Sequence, residues 1–99
     1  MSLFANRVIS IHQHKTSVRL SPPEWRAFET ICVKENIPRK ILLELIELNK
    51  SEKLNLTSSI RLFTINYYKN FLTNPQKTTY IEEKDLLVSP VLEAIKAII

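Results

Sequence analysis

The sequence predicts a mainly α-helical domain led by one ribbon strand that pairs with a second copy of the chain. Three observations carry this. Residues Lys15 to Leu20 alternate polar and apolar with period two. A helix-start signal follows immediately at Ser21, and three further helical stretches, the last at the C-terminus, come after it. Downstream of Leu20 no other stretch is patterned to pair with the strand.

On that strand Thr16, Val18 and Leu20 share the face to be buried, and Lys15, Ser17 and Arg19 share the other. A lone strand is unstable because its backbone N–H and C=O groups need a ladder. The plainest partner is the same strand of a second copy, antiparallel across a two-fold axis. The resulting intermolecular two-stranded sheet of an intertwined homodimer would carry Lys15, Ser17 and Arg19 on its free face. A basic ribbon of that width enters the major groove of double-stranded DNA.

Upstream, Met1 to Asn6 is a short arm, and Arg7 to Ile11 is extended with Ile9 and Ile11 on one face. The apolar phase is odd there and even at Val18 and Leu20. A turn or bulge must therefore fall near His12-Gln13-His14, which makes the earlier stretch a separate short strand or an extended arm.

The first helix runs from about Pro22 to Glu35. Ser21 is its N-cap, Pro22 suits its first position and Glu24 completes a capping box. Trp25, Phe28, Ile31 and Cys32 form its core stripe. Asn36 ends it as the residue that best replaces glycine in a left-handed conformation. Ile37-Pro38-Arg39-Lys40 starts the second helix, with Pro38 in its first turn. Arg39 and Lys40 oppose the helix dipole at a mild cost of a few tenths to ~1 kcal/mol, a hint that an anion compensates them. From Ile41 to Asn49 the apolar residues reach almost around the helix, so a second subunit is expected to cover it.

Lys50 to Lys53 is a polar linker, and Asn55 or Thr57 caps a third helix to about Leu72. Ile60, Phe63, Tyr67 and Phe71 face its core side, and Arg61, Asn66, Lys69 and Asn70 its wet side. Thr73-Asn74-Pro75 closes it. Thr78 to Ile81 is strand-like or loop. Ser89-Pro90 then opens an amphipathic terminal helix with Val91, Leu92, Ile95, Ile98 and Ile99. The expected organisation is a unit over 1–74, arm and third helix included, and an extension over 75–99.

Composition narrows the function. The 44% apolar and 24% charged fractions are those of a folded domain, and the formal charge of +4 tilts it basic. Residues 1–23 hold Arg7, Lys15 and Arg19 and no acid, which suits an anionic partner. Glycine is absent altogether, which removes the phosphate-binding loop, the dinucleotide fingerprint and the nucleophile elbow. The single cysteine, Cys32, can form no intrachain disulfide and falls on a core face. His12 and His14 lack the further ligands a zinc site needs and read as turn residues, although His14, beside Lys15, would approach a phosphate. No metal, no cofactor and no catalytic group is expected, so the chain does not read as an enzyme. No signal-peptide pattern and no membrane-length apolar run is present, so the protein is expected in the cytoplasm.

Strand, helix, turn and helix with a basic free strand face resembles the ribbon-helix-helix DNA-binding proteins of the MetJ/Arc class. The chain is more similar still to a bacterial sequence family of such domains. Its members show a His-Arg-Thr-Ser strand start, a stretch ending in Leu, a Trp in the first helix, and a later Asn-Leu-Ser-Ser-Ala-Leu-Arg segment. Here these are His14-Lys15-Thr16-Ser17, Val18-Arg19-Leu20, Glu24-Trp25, and Asn55-Leu56-Thr57-Ser58-Ser59-Ile60-Arg61. The chain departs from the members at Asn36, where glycine is usual, and at Pro38, where a small hydroxyl residue is usual.

The resemblance implies that the outward strand residues Lys15, Ser17 and Arg19 contact base edges. It also implies that the start of the second helix, at Arg39 and Lys40, holds a DNA phosphate. The implied activity is that of a homodimeric transcriptional regulator, a repressor. The rival is a dimerisation or adaptor module, or an antitoxin-like protein, whose terminal helix in 75–99 binds a protein partner through Val91, Leu92, Ile95 and Ile98.

Overall fold

The strand left without a partner downstream finds one upstream. In the computed structural model, which describes residues 5–11, 13–73 and 89–99, β1 (Ala5–Ile11) and β2 (His14–Leu20) form one antiparallel two-stranded sheet. Its register runs from Ala5 opposite Leu20 to Ile11 opposite His14. The turn falls where the change of apolar phase demands it, and Gln13 takes a positive φ of 68°. A two-residue loop with positive φ suits a hairpin, and so short a loop costs little closure entropy. The sheet of the single chain is therefore intramolecular, and the stretch upstream of the turn is the separate short strand that the change of phase called for.

The pairing explains the phase change. Arg7, Ile9 and Ile11 lie opposite Val18, Thr16 and His14, so an odd stripe on β1 meets an even stripe on β2. Ile11, Val18 and Leu20 are buried, and Val8, Ser10, Lys15, Ser17 and Arg19 are exposed on the other face.

Helix α1 (Pro22–Glu35) begins with both halves of the capping box. The Ser21 N–H donates to Glu24 Oε1 (2.8 Å), and the Glu24 N–H donates to Ser21 Oγ (3.3 Å). Asn36 ends the helix at φ 54°, ψ 45°, and the N–H groups of Asn36 and Ile37 close onto the carbonyls of Val33 and Cys32. We expect Ser21→Ala to lower stability by ~1 kcal/mol (about 0.5–2), measured by urea unfolding, because one helix-start N–H loses its acceptor.

Helix α2 (Arg39–Asn49) starts one step later than expected: Pro38, at φ −56° and ψ 140°, is its N-cap and not part of its first turn. Its extended ψ keeps it outside the helix. Leu42, Leu43 and Ile46 are buried, whereas Ile41 and Leu48 stay 52% and 73% exposed, so among the described residues α2 is covered on one side.

Helix α3 (Leu56–Thr73) is capped by Asn55, whose Oδ1 accepts the Ser58 N–H at 2.7 Å. Its apolar side packs on α1: Phe63 meets Phe28 edge-on at 6.5 Å and stacks with Tyr67 at 6.4 Å. The Tyr67 hydroxyl donates to Glu35 Oε2 (2.5 Å) and that of Tyr68 to the Ala27 carbonyl (2.9 Å). Burial, then the Glu35 carboxylate, push the Tyr67 hydroxyl well above its ordinary range, so it stays a proton donor.

The chain ends in α4 (Pro90–Ile95), whose N-cap Ser89 accepts the Val91 N–H. Val91, Ala94, Ile95 and Ile98 are buried in the common core, and the Ser51 N–H donates to the Ile98 carbonyl at 2.6 Å. Most of the apolar face that would have served a protein partner is thus turned into the chain's own core, with Leu92 and Ile99 outward. The expectations for Asn74-Pro75 and for Thr78 to Ile81 lie outside the described residues.

Candidate nucleic-acid interface

Two cationic clusters emerge. The first is the outer face of the hairpin. Lys15, Ser17 and Arg19 point the same way from alternate positions of β2, and all three are exposed. Because the sheet's other face is packed on the helices, this face presents its side chains on a backed, ordered surface. His14 is exposed at the start of the same strand.

Helix α3 fixes the end of that strand. The Arg19 N–H donates to Thr57 Oγ1 (3.3 Å), and Arg61 Nη2 donates to the Arg19 carbonyl (3.3 Å). Arg61 also grips Glu24, with Nε 2.6 Å from Oε2 and Nη2 3.4 Å from Oε1. The Arg61 hydrogen bond holds the Glu24 carboxyl below its usual range, against a smaller opposing effect of burial. Glu24 therefore joins three elements: it closes the α1 cap, anchors Arg61 of α3 and, through Arg61, steadies Arg19.

The second cluster is the start of α2. Arg39 and Lys40 are exposed there, no side chain caps the helix and its first turn holds no acid. Unpartnered first-turn N–H groups with two cations beside them suit a phosphate oxygen. Glu29 of α1 ties this end to the sheet. It lies 3.4 Å from Arg7 Nη1 and 3.8 Å from Arg39 Nη1 through its two carboxylate oxygens. Arg7 in turn lies over the Trp25 ring at 4.2 Å, an attractive cation–π contact. Lys15 and Lys40 form no ion pair among the described residues, so their charge is available to a ligand.

The arrangement suits recognition of a polyanion with readable edges. Arginine and lysine donate to guanine O6 and N7, serine adapts to several bases, and the helix start takes the backbone. Among the described residues no group of three or more His, Cys, Asp or Glu is placed to hold a metal ion. No helix among them is long and apolar enough to cross a membrane.

A family model, the Ribbon-helix-helix domain, matches residues 4–68, which spans the hairpin, α1, α2 and most of α3. The chain belongs to the ribbon-helix-helix domain family. No curated protein and no solved structure matches it. Ribbon-helix-helix domains generally bind DNA as transcriptional regulators, and the family dimerises.

Sequence reasoning placed Lys15, Ser17 and Arg19 on one exposed face, and they share one here. It placed Arg39 and Lys40 at a helix start, and they are there. It missed Thr57 and Arg61 as the residues that hold Arg19, having set Arg61 on the wet side of its helix. A half-buried arginine facing Glu24 across 37 residues leaves no local pattern to read.

Proposed function

We propose that this ribbon-helix-helix protein is a homodimeric, sequence-specific double-stranded DNA-binding regulator, a repressor in a bacterial cytoplasm, that reads the major groove with paired strands. The observation that carries the reading is the exposed Lys15–Ser17–Arg19 face, whose Arg19 main chain is held from both its donor and its acceptor by α3. Lys15, Ser17 and Arg19 contact base edges. Arg39, Lys40 and His14 contact phosphates. Residues 1–74 act as the DNA-binding unit, with α4 packed against α3.

A second copy supplies the two-fold that a palindromic operator mirrors. Ile41 and Leu48 on α2 and Val33 on α1, 52%, 73% and 81% exposed, form the uncovered apolar surface for it. Capture of DNA fragments from around the protein's own gene, in excess competitor, tests the proposal. Retention of one fragment carrying a two-fold repeat, by a protein that sediments as a dimer, is the expected result. Indiscriminate retention, or a monomer at every concentration, contradicts it.

The two clusters should separate by salt. Changing Arg39 and Lys40 to glutamine is expected to weaken binding to all sequences alike. It should also flatten the plot of log affinity against log salt, by roughly 0.9 for each phosphate no longer neutralised. Preference among sequences should stay as it was.

A further inference from the structure

We propose that the cleft between the first turns of α1 and the middle of α3 is an effector site for a small α-amino acid with an apolar side chain. The site goes beyond the DNA-binding reading above; only its effect on DNA rests on that reading.

The first support is the cleft itself, a cavity of about 250 Å³ at the end of β2. Leu20 and Ile60, both buried, give it an apolar floor, and Ala27 of α1 and the exposed Ile65 of α3 line it as well. That volume lies at the small end for ligand pockets, so it suits a molecule of about ten non-hydrogen atoms.

The second support is the charge gathered there. Glu24 and Arg61, both partly exposed, bring a carboxylate and a guanidinium to the same cleft, and Thr64 adds a hydroxyl. A ligand of one charge would meet its like as well as its opposite. A zwitterion meets two opposites: its carboxylate falls to Arg61 and its ammonium to Glu24, with its side chain laid over Leu20, Ala27 and Ile60. An α-amino acid carries both charges within one short span, as the Glu24–Arg61 pair does at 2.6 Å.

The third is the uneven hold on Arg61, which sets the consequence. Its Nε lies 2.6 Å from Glu24 Oε2, whereas Nη2 lies 3.4 Å from Glu24 Oε1 and 3.3 Å from the Arg19 carbonyl. A ligand carboxylate takes the more loosely held Nη2, and the Arg19 carbonyl loses that donor. The strand end that carries Arg19 is then less firmly placed. Amino acid and DNA oppose each other, each weakening the other by the same factor.

Calorimetric titration of the full chain without DNA tests the site. L-Leucine or L-phenylalanine should bind with a dissociation constant on the order of 0.1 mM, which about ten non-hydrogen atoms can supply. 4-Methylpentanoate, which lacks the ammonium, and isoamylamine, which lacks the carboxylate, should each bind at least about tenfold more weakly. Ala27→Leu fills the cleft and should abolish binding. Ile65→Ser, at an exposed position that leaves the fold intact, should weaken it about fivefold. On a duplex selected from a random-sequence pool by the wild-type protein, saturating leucine should lower DNA affinity at least about fivefold. No binding of either amino acid, equal binding of a single-charge analogue, or binding unchanged in both variants overturns the site. Loss of the dimer in Ile65→Ser also overturns it, by making the cleft a contact between copies. Leucine that binds without changing DNA affinity overturns the coupling. Failure to select any duplex while leucine binds overturns the coupling together with the DNA-binding reading and leaves the site.

Discussion

Arg19→Ala is expected to lose specific DNA binding while the protein stays folded and dimeric. A bidentate arginine contact discriminates its base by ~1–3 kcal/mol. Two copies on a two-fold site double this to about 2–6 kcal/mol, a loss of at least roughly thirtyfold. The fold should survive because the groups that Thr57 and Arg61 hold belong to the Arg19 backbone, which alanine keeps. Fluorescence anisotropy on an operator duplex and on a scrambled one measures both parts. The affinity gap between the two duplexes should collapse, with far-UV circular dichroism and sedimentation unchanged. An unaltered gap in a folded Arg19→Ala protein would remove this strand face from recognition.

The largest effect on stability is expected from Phe63→Ala. Phe63 is fully buried and touches Phe28 of α1 on one side and Tyr67 on the other, so it joins α1 to α3. Removing a buried phenylalanine costs ~3–5 kcal/mol, transfer and cavity together. A domain of this size holds about 5–15 kcal/mol in all, so the loss is a large part of the whole. The only tryptophan, Trp25, is itself buried at 1% exposure and reports unfolding by its fluorescence. The urea midpoint should fall sharply at unchanged slope. A shift worth less than about 1 kcal/mol would mean that α1 and α3 do not pack through this side chain.

What was legible in the sequence is what short-range chemistry writes. The Ser21–Glu24 box, the left-handed Asn36 and the uncapped, cationic start of α2 are all set by neighbours within a turn, and they appear where the residues place them. The exposed strand face was legible because period two fixes which side chains point together.

The pairing of β1 with β2 was not, since a strand's own residues do not say which strand lies beside it. The change of apolar phase between Ile11 and Val18 was the clue to the turn. The positive φ of Gln13 is how a chain without glycine makes it. Arg61 was misplaced for a related reason: its carboxylate partner and the strand carbonyl it grips lie 37 and 42 residues away. For Ile41 and Leu48 the sequence names an apolar surface that a second subunit is expected to cover, and both stay exposed on the single chain.

The most direct test of the central claim is the ratio of affinities for the selected duplex and for a scrambled duplex, measured at two salt concentrations. A sequence-specific regulator should bind its own site at least about a thousandfold more tightly at physiological salt. Both affinities should fall as salt rises, by the slope that phosphate contacts set. A ratio near one at both concentrations, with binding that disappears together on the two duplexes, would reduce the strand face to a basic surface and contradict the account.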